Sequence, residues 1–308
     1  MRHTVLCHRS SSGVRRLVHA IARTGFAEDG AQLYDQIRPE YSKEAIEYIL
    51  SINDVPAAGD EKQLYVEVGA GTGKFTRSFL PFLAQKRLSD ANNSTNKYVA
   101  TDPSAGFRAV LEKDVARGLG GRAIELSVAE GTGACLPIKE DHSVAAVYIA
   151  QAWHWMASDA ALQEAHRVLK PQRPLVLVWN ALDMDLPWIR DLERIIIDKY
   201  YVTPPGAQPI PRYITMDWKK AFDTPLSKTL FRELKSWHGG YQRSQVTKKT
   251  IIDRVHSISV ISNLDAAGRA TVAHEVSTLL ATHPDTRHLQ DGAYPLVYKT
   301  EVSYALSR

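Results

Sequence analysis

The residues best suited to chemistry lie in one run, Tyr65-Val66-Glu67-Val68-Gly69-Ala70-Gly71-Thr72-Gly73-Lys74-Phe75. An apolar stretch with one acid enters three glycines spaced two apart and leaves as a helical pattern. Such a run is a buried strand turning into a helix. The missing Cβ atoms let the backbone approach a ligand, and the first N–H groups of the helix face it. Two familiar glycine loops fail on the letters. A dinucleotide fingerprint begun at Gly69 needs glycine where Lys74 stands. A phosphate loop ending at Gly73-Lys74 needs glycine at Val68 and a hydroxyl at Phe75. The second candidate is Asp102, closing the stretch Lys97-Tyr98-Val99-Ala100-Thr101. A carboxylate there can accept from both hydroxyls of a ribose, or it can simply start the turn at Pro103. The third is Gln151-Ala152-Trp153-His154-Trp155, directly after the apolar run 144–150.

The elements that must position these groups alternate. Strands are expected at 65–68, 97–102, 123–128, 144–150 and 174–180, with helices at 75–81, about 104–118 and 159–169; Pro81 should kink or end the first of these. Alternation of this kind over residues 60–180 is the pattern of a parallel sheet with right-handed crossovers. Before it, Ser42 offers an N-cap to a helix presenting Ala45, Ile46, Ile49 and Leu50, and within it Ser158 or Asp159 offers one to the helix at 159–169. After it, residues 183–228 break the rhythm with a helix at Trp188–Ile196 and a proline-rich loop. A sixth strand is expected at 231–238, helices at 251–259 and 266–281, and a last strand at 296–305 that closes the sheet as the antiparallel hairpin partner.

Composition bounds the rest. A chain of 308 residues, 44% apolar, can bury a large core. No apolar run reaches the roughly 18 residues needed to span a bilayer. Two cysteines, Cys7 and Cys135, lack metal spacing and argue for a reducing compartment; no metal is expected. The net charge of +4 belongs to residues 1–24, which hold five arginines and no acid. The remainder is almost neutral, so no broad nucleic-acid surface is indicated. The tail itself reads as a disordered extension or as a mitochondrial presequence, leaving the expected location cytoplasmic with a mitochondrial alternative.

The Glu67-x-Gly69-x-Gly71-x-Gly73 loop, Asp102 and the Gln151–Trp155 block together resemble the class I S-adenosylmethionine-dependent methyltransferases, in particular the trans-aconitate-methyltransferase-like group of the type 11 family. The resemblance spans residues 25–305. It implies an α/β fold: a Rossmann-like, seven-stranded, mostly parallel sheet with helices on both faces and a cap insertion (183–228) after the fifth strand. It implies S-adenosylmethionine as cofactor, held by Tyr34, Glu67, Gly69, Gly71, Gly73, Asp102, Ser104, Gly133 and Gln151. Tyr34 would offer its face to the sulfonium. The loop at Gly131–Pro137 lacks the acid that many relatives carry, leaving adenine to backbone groups. Trp153 and Trp155 would wall the substrate pocket, Arg38 would pair with a carboxylate of substrate or cofactor, and one of Arg190, Arg194 or Arg212 could meet an anionic group. His154 would serve as a base, as a donor to the acceptor, or merely as a tie for its own loop.

The function implied is methyl transfer to a small molecule, at an oxygen of a carboxylate or hydroxyl. N- or C-methylation of a lipid or quinone ring is an alternative, as is a binding protein without catalysis. Such displacements need alignment and exclusion of water more than acid–base groups.

Overall fold

The computed structural model describes residues 35–53, 62–89, 95–203, 206 and 209–308. Tyr34 and the 1–24 tail lie outside them. Seven strands form one sheet: β1 (Leu64–Val68), β2 (Asn96–Thr101), β3 (Ile124–Ala129), β4 (Val144–Ala150), β5 (Pro174–Leu182), β6 (Lys235–Val246) and β7 (Tyr294–Leu306). Their order is β3-β2-β1-β4-β5-β7-β6. The first five are parallel, and β7 runs antiparallel to both β5 and β6. This is the expected α/β architecture.

The helices are α1 (Lys43–Ile52), α2 (Lys74–Ser89), α3 (Ala105–Ala116), α4 (Asp159–Val168), α5 (Pro187–Tyr200), α6 (Pro225–Leu230), α7 (Lys248–His256), α8 (Ser259–Ser262) and α9 (Ala266–Thr282). The anticipated caps form. Ser42 accepts from the Ala45 N–H at 3.2 Å, and Ser158 from that of Ala161 at 3.3 Å. Strand alternation sorts the core into two layers. Tyr65, Tyr98 and Tyr148 point to one face, where α1, α2 and α3 bring Ile46, Ile49, Phe75, Phe79 and Leu111. Val66, Val68, Val147 and Leu177 point to the other, onto Leu162 and Ala165 of α4 and onto Trp218. A third cluster joins Trp188, Ile189, Leu192 and Ile196 of α5 to Ile251 and Val255 of α7 and Val272 and Val276 of α9.

Three expectations need correction. The second helix does not end at Pro81 but runs to Ser89. Phe79, Leu80 and Leu83 are buried on both sides of the proline, and that packing outweighs the hydrogen bond it forfeits. The sixth strand is not 231–238. Phe231 is core and bridges only Ser307, while the ladder begins at Lys235 and passes Gly239-Gly240 through a register break to Val246. The final strand is antiparallel as expected, but α7, α8 and α9 separate it from β6, so the two form no tight hairpin.

Pro81 is exposed in the helix interior. Pro81→Ala is expected to raise stability by about 1 kcal/mol or more through the regained N–H and the higher helix propensity, measured by urea denaturation; an unchanged or lower midpoint would contradict it.

Candidate active site

The strand order reverses between β1 and β4, so the crevice at a switch point lies outside their C-terminal ends. Both loops of interest leave from there. Gly69, Gly71 and Gly73 all have positive φ, at 71°, 58° and 90°, a region that side chains disfavour. The turn they make is pinned to β2. The Gly69 and Ala70 N–H groups both donate to the Thr101 carbonyl, at 2.8 and 3.0 Å. The Gly71 N–H donates to Asp102 Oδ2 at 3.0 Å.

The three glycines serve different ends. A Cβ on Gly73 would stand 2.4 Å from Leu111 Cδ1, so here glycine admits α3 to the turn. A Cβ on Gly69 would stand 2.8 Å from Ala152 Cβ, so here it brings the Gln151–Trp155 loop against the glycine turn. At Gly71 nothing among the described residues lies within 4 Å. Of the three, this one faces open space, as backbone meant to receive a ligand would.

Two carboxylates flank the turn. Glu67, 1% exposed, accepts from the Thr76 hydroxyl at 2.6 Å and the Tyr98 hydroxyl at 2.8 Å through one oxygen. Its Oε1 is buried without a hydrogen-bond partner among the described residues. Burial raises its pKa to about 7 against the pull of those hydroxyls, and Asp102 adds to the rise. Asp102 Oδ1 accepts from the Ser104 N–H at 2.8 Å. Burial lifts its pKa to about 6, opposed by the Ser104 and Gly71 N–H groups and by Arg108. Ser104 also caps α3, its hydroxyl accepting from the Phe107 N–H.

Across the crevice, Gln151 has φ 58°, a strained setting for a residue with a Cβ and one found where geometry serves a site. Its side chain donates to the Asn180 carbonyl at 3.0 Å. Gly133 packs under Met156, whose sulfur a Cβ would meet at 2.6 Å. His154 Nδ1 lies 3.4 Å from Trp179 Nε1. An indole nitrogen only donates, so Nδ1 accepts and the ring proton is on Nε2. His154 keeps some exposed surface, yet its environment is apolar enough to push its pKa down to about 3. The tie to its own loop that was one reading of His154 is thus replaced by a bond to β5. The Trp155 ring stands 5.0 Å from it. Trp153 is a correction: it does not wall an open pocket but is fully buried in the core beside Phe222, its Nε1 donating to the Trp218 carbonyl.

The segment at 35–41 straps across the glycine turn. Asp35 accepts from the Thr72 hydroxyl at 2.7 Å and from Arg77, and its carbonyl accepts from Lys74. The Asn180 amide donates to the Glu40 carbonyl at 3.0 Å. Arg38, expected to meet a carboxylate, donates through Nε to Ser257 Oγ at 3.1 Å. Trp179, Asn180 and Asp35 were missed by sequence reasoning. Trp179 and Asn180 lie toward the C-terminal end of the fifth strand, and that position was the available signal.

With this geometry in place, comparison with known proteins decides the family. A family model described as a methyltransferase domain matches residues 66–177. An uncharacterized methyltransferase of Mycobacterium tuberculosis is 32% identical over 265 residues, covering 86% of this chain and 89% of the relative. The chain belongs to the methyltransferase family. An uncharacterized methyltransferase-like protein of Schizosaccharomyces pombe is 29% identical over 189 residues, 61% of this chain and 62% of that one. In fold, a protein of Anaeromyxobacter dehalogenans described as a type II methyltransferase aligns with TM-score 0.51 at 16% identity, covering 88% of this chain and 97% of that one. The methyltransferase's glycine turn therefore lies inside the matched domain, and the cap helices beyond residue 177 lie outside it.

Two outcomes test this geometry. Gly73→Ala should destabilise the fold by roughly 1–3 kcal/mol, from both strain and the Leu111 clash. Gly71→Ala should cost only about 1 kcal/mol while abolishing ligand binding at the turn; equal thermal shifts for the two would count against the division of roles. For Asp102 the folded pKa is raised, so the folded state binds the proton more tightly and stability falls as pH rises from about 4 to about 6. Asp102→Asn should remove up to roughly 3 kcal/mol of that decline, read from urea midpoints at pH 4.5 and 7.5; an undiminished decline would assign it elsewhere.

Proposed function

We propose that the chain transfers a methyl group from S-adenosylmethionine to an oxygen of a small organic acceptor, a carboxylate or a hydroxyl. The observation that carries this reading is the open backbone at Gly71 between two buried carboxylates, one of them with an oxygen lacking a hydrogen-bond partner among the described residues. The residues fit that cofactor. Glu67 Oε1 suits the ammonium of an amino-acid end, and Asp102, which has lone pairs beyond the two N–H bonds, suits ribose hydroxyls. Ser104, Gly133 and Gln151 border the same crevice. The finer resemblance to the trans-aconitate-methyltransferase-like group rests on the Gln151–Trp155 block.

S-adenosylmethionine supplies a methyl carbon already activated by its sulfonium. The chain's own task is to align the acceptor and keep water out. His154 is neutral with its proton on Nε2, because Nδ1 is taken by Trp179. It serves as a hydrogen-bond donor, not a base. This favours an acceptor already deprotonated at working pH, a carboxylate above all, over a ring nitrogen or carbon that must lose a proton. A binding protein without catalysis is the rival of another class.

Incubation with methyl-labelled cofactor and a metabolite extract should yield a labelled product that alkali hydrolyses as an ester; cofactor binding with no transfer would favour the rival. At saturating cofactor the rate should show no inflection near pH 6.5, and His154→Ala should lower kcat/KM about 10- to 100-fold, the worth of one hydrogen bond to a charged group. An inflection that the substitution abolishes would restore His154 as a base.

A further inference from the structure

Arg212, in the segment between α5 and the 3-10 turn at Asp217–Asp223, presents buried Nε and Nη1 atoms with no hydrogen-bond partner among the described residues. A guanidinium is always charged, and burying its N–H groups unpaired is costly, so a native structure leaves such groups for a ligand or ion. Its face is already occupied: Cζ lies 4.8 Å from the centroid of the Tyr201 ring. Stacking uses the face and leaves the N–H groups, which radiate in the plane, as a fork for two oxygens.

The nearby acids do not fill that fork. Glu193 faces Arg254 at 3.2 Å. Asp217 feels Arg212 only weakly, is fully exposed, and takes Lys220 at 2.5 Å. Arg38 converges on the same tyrosine: burial and Glu193 raise the Tyr201 pKa, while Arg38, Arg212 and the Ser259 hydroxyl oppose the rise. The other two cap arginines are solvent groups, Arg190 exposed and Arg194 set against Asp191 at 3.7 Å. Arg212 is joined in sequence to the candidate site. Its neighbour Tyr213 lies ring to ring with Trp179 at 5.0 Å, and Trp179 holds His154.

We infer that Arg212, assisted by Arg38, binds an oxyanion of the methyl acceptor, a carboxylate or phosphate group distinct from the atom that is methylated. This rests on the methyltransferase reading above and narrows its substrates to anionic molecules with a second polar end.

Calorimetry on the full chain tests it, with S-adenosylhomocysteine bound and acetate, succinate, benzoate, inorganic phosphate and neutral succinamide as probes. At least one oxyanion should bind and succinamide should not; carboxylate against phosphate distinguishes the two chemistries. Arg212→Gln should weaken that binding tenfold or more, and Arg212→Lys, which keeps the charge and loses the fork, should fall between. Both variants should hold S-adenosylhomocysteine as the parent does, which also shows that they fold. Oxyanion binding that is absent from the parent complex, or that survives in Arg212→Gln, would overturn the inference and leave the methyltransferase reading standing. A parent that fails to bind S-adenosylhomocysteine would overturn that reading instead, and the same titrations without the nucleoside would then decide the oxyanion site.

Discussion

The turn after β1 is held by one carbonyl. Thr101 O accepts from two successive N–H groups of the glycine turn, and the Thr101 hydroxyl donates back to the Glu67 carbonyl at 3.0 Å. The turn therefore cannot move unless β2 moves, and β2 is locked between β1 and β3 over its whole length. A site for a polar ligand needs donors fixed before the ligand arrives. Here the sheet supplies that rigidity, and the left-handed glycines are the backbone cost of turning within three residues.

The same economy puts two carboxylates in the interior. Burial raises the cost of ionising both Glu67 and Asp102, and Asp102 raises it further for Glu67. Buried like charges persist only where other groups compensate. Thr76, Tyr98 and the Gly71 and Ser104 N–H groups supply part of that compensation, and Glu67 Oε1 is left over. A cation beside it would lower both penalties at once, so binding and stability are coupled at this point.

What could be read from the letters follows from how local each signal is. The glycine turn, the parallel core and the caps Ser42 and Ser158 depend on neighbours a few residues away, and they were legible. Pro81 was misread because its cost is local while the burial of Phe79, Leu80 and Leu83 that offsets it is tertiary. The sixth strand was expected to end at His238, yet Gly239-Gly240 is only a register break inside a strand that runs to Val246. Trp153 was taken for pocket lining because it lies in a motif, but its neighbours Phe222 and Trp218 arrive from residues about 65 positions on. Asp35, Trp179 and Asn180 were invisible for the same reason: their partners are 25 to 140 residues distant.

These distant contacts tie the cap to the core. In the β5–β7 ladder Trp179 pairs with Glu301. Trp179 orients His154 by its indole N–H. Glu301, buried, accepts from the Tyr213 hydroxyl and from Ser303, with Lys219 and His238 both at 3.8 Å. Tyr213 stays protonated, since burial and that carboxylate both push its pKa up, so the bond is kept at any working pH. One strand pair thus anchors both His154, through Trp179, and Tyr213, the residue after Arg212, through Glu301. Because β5 and β7 are rigid, the distance between the two anchors is set by the sheet. On the function proposed above, the length of acceptor that spans from His154 to Arg212 is then a property of the ladder rather than of the cap.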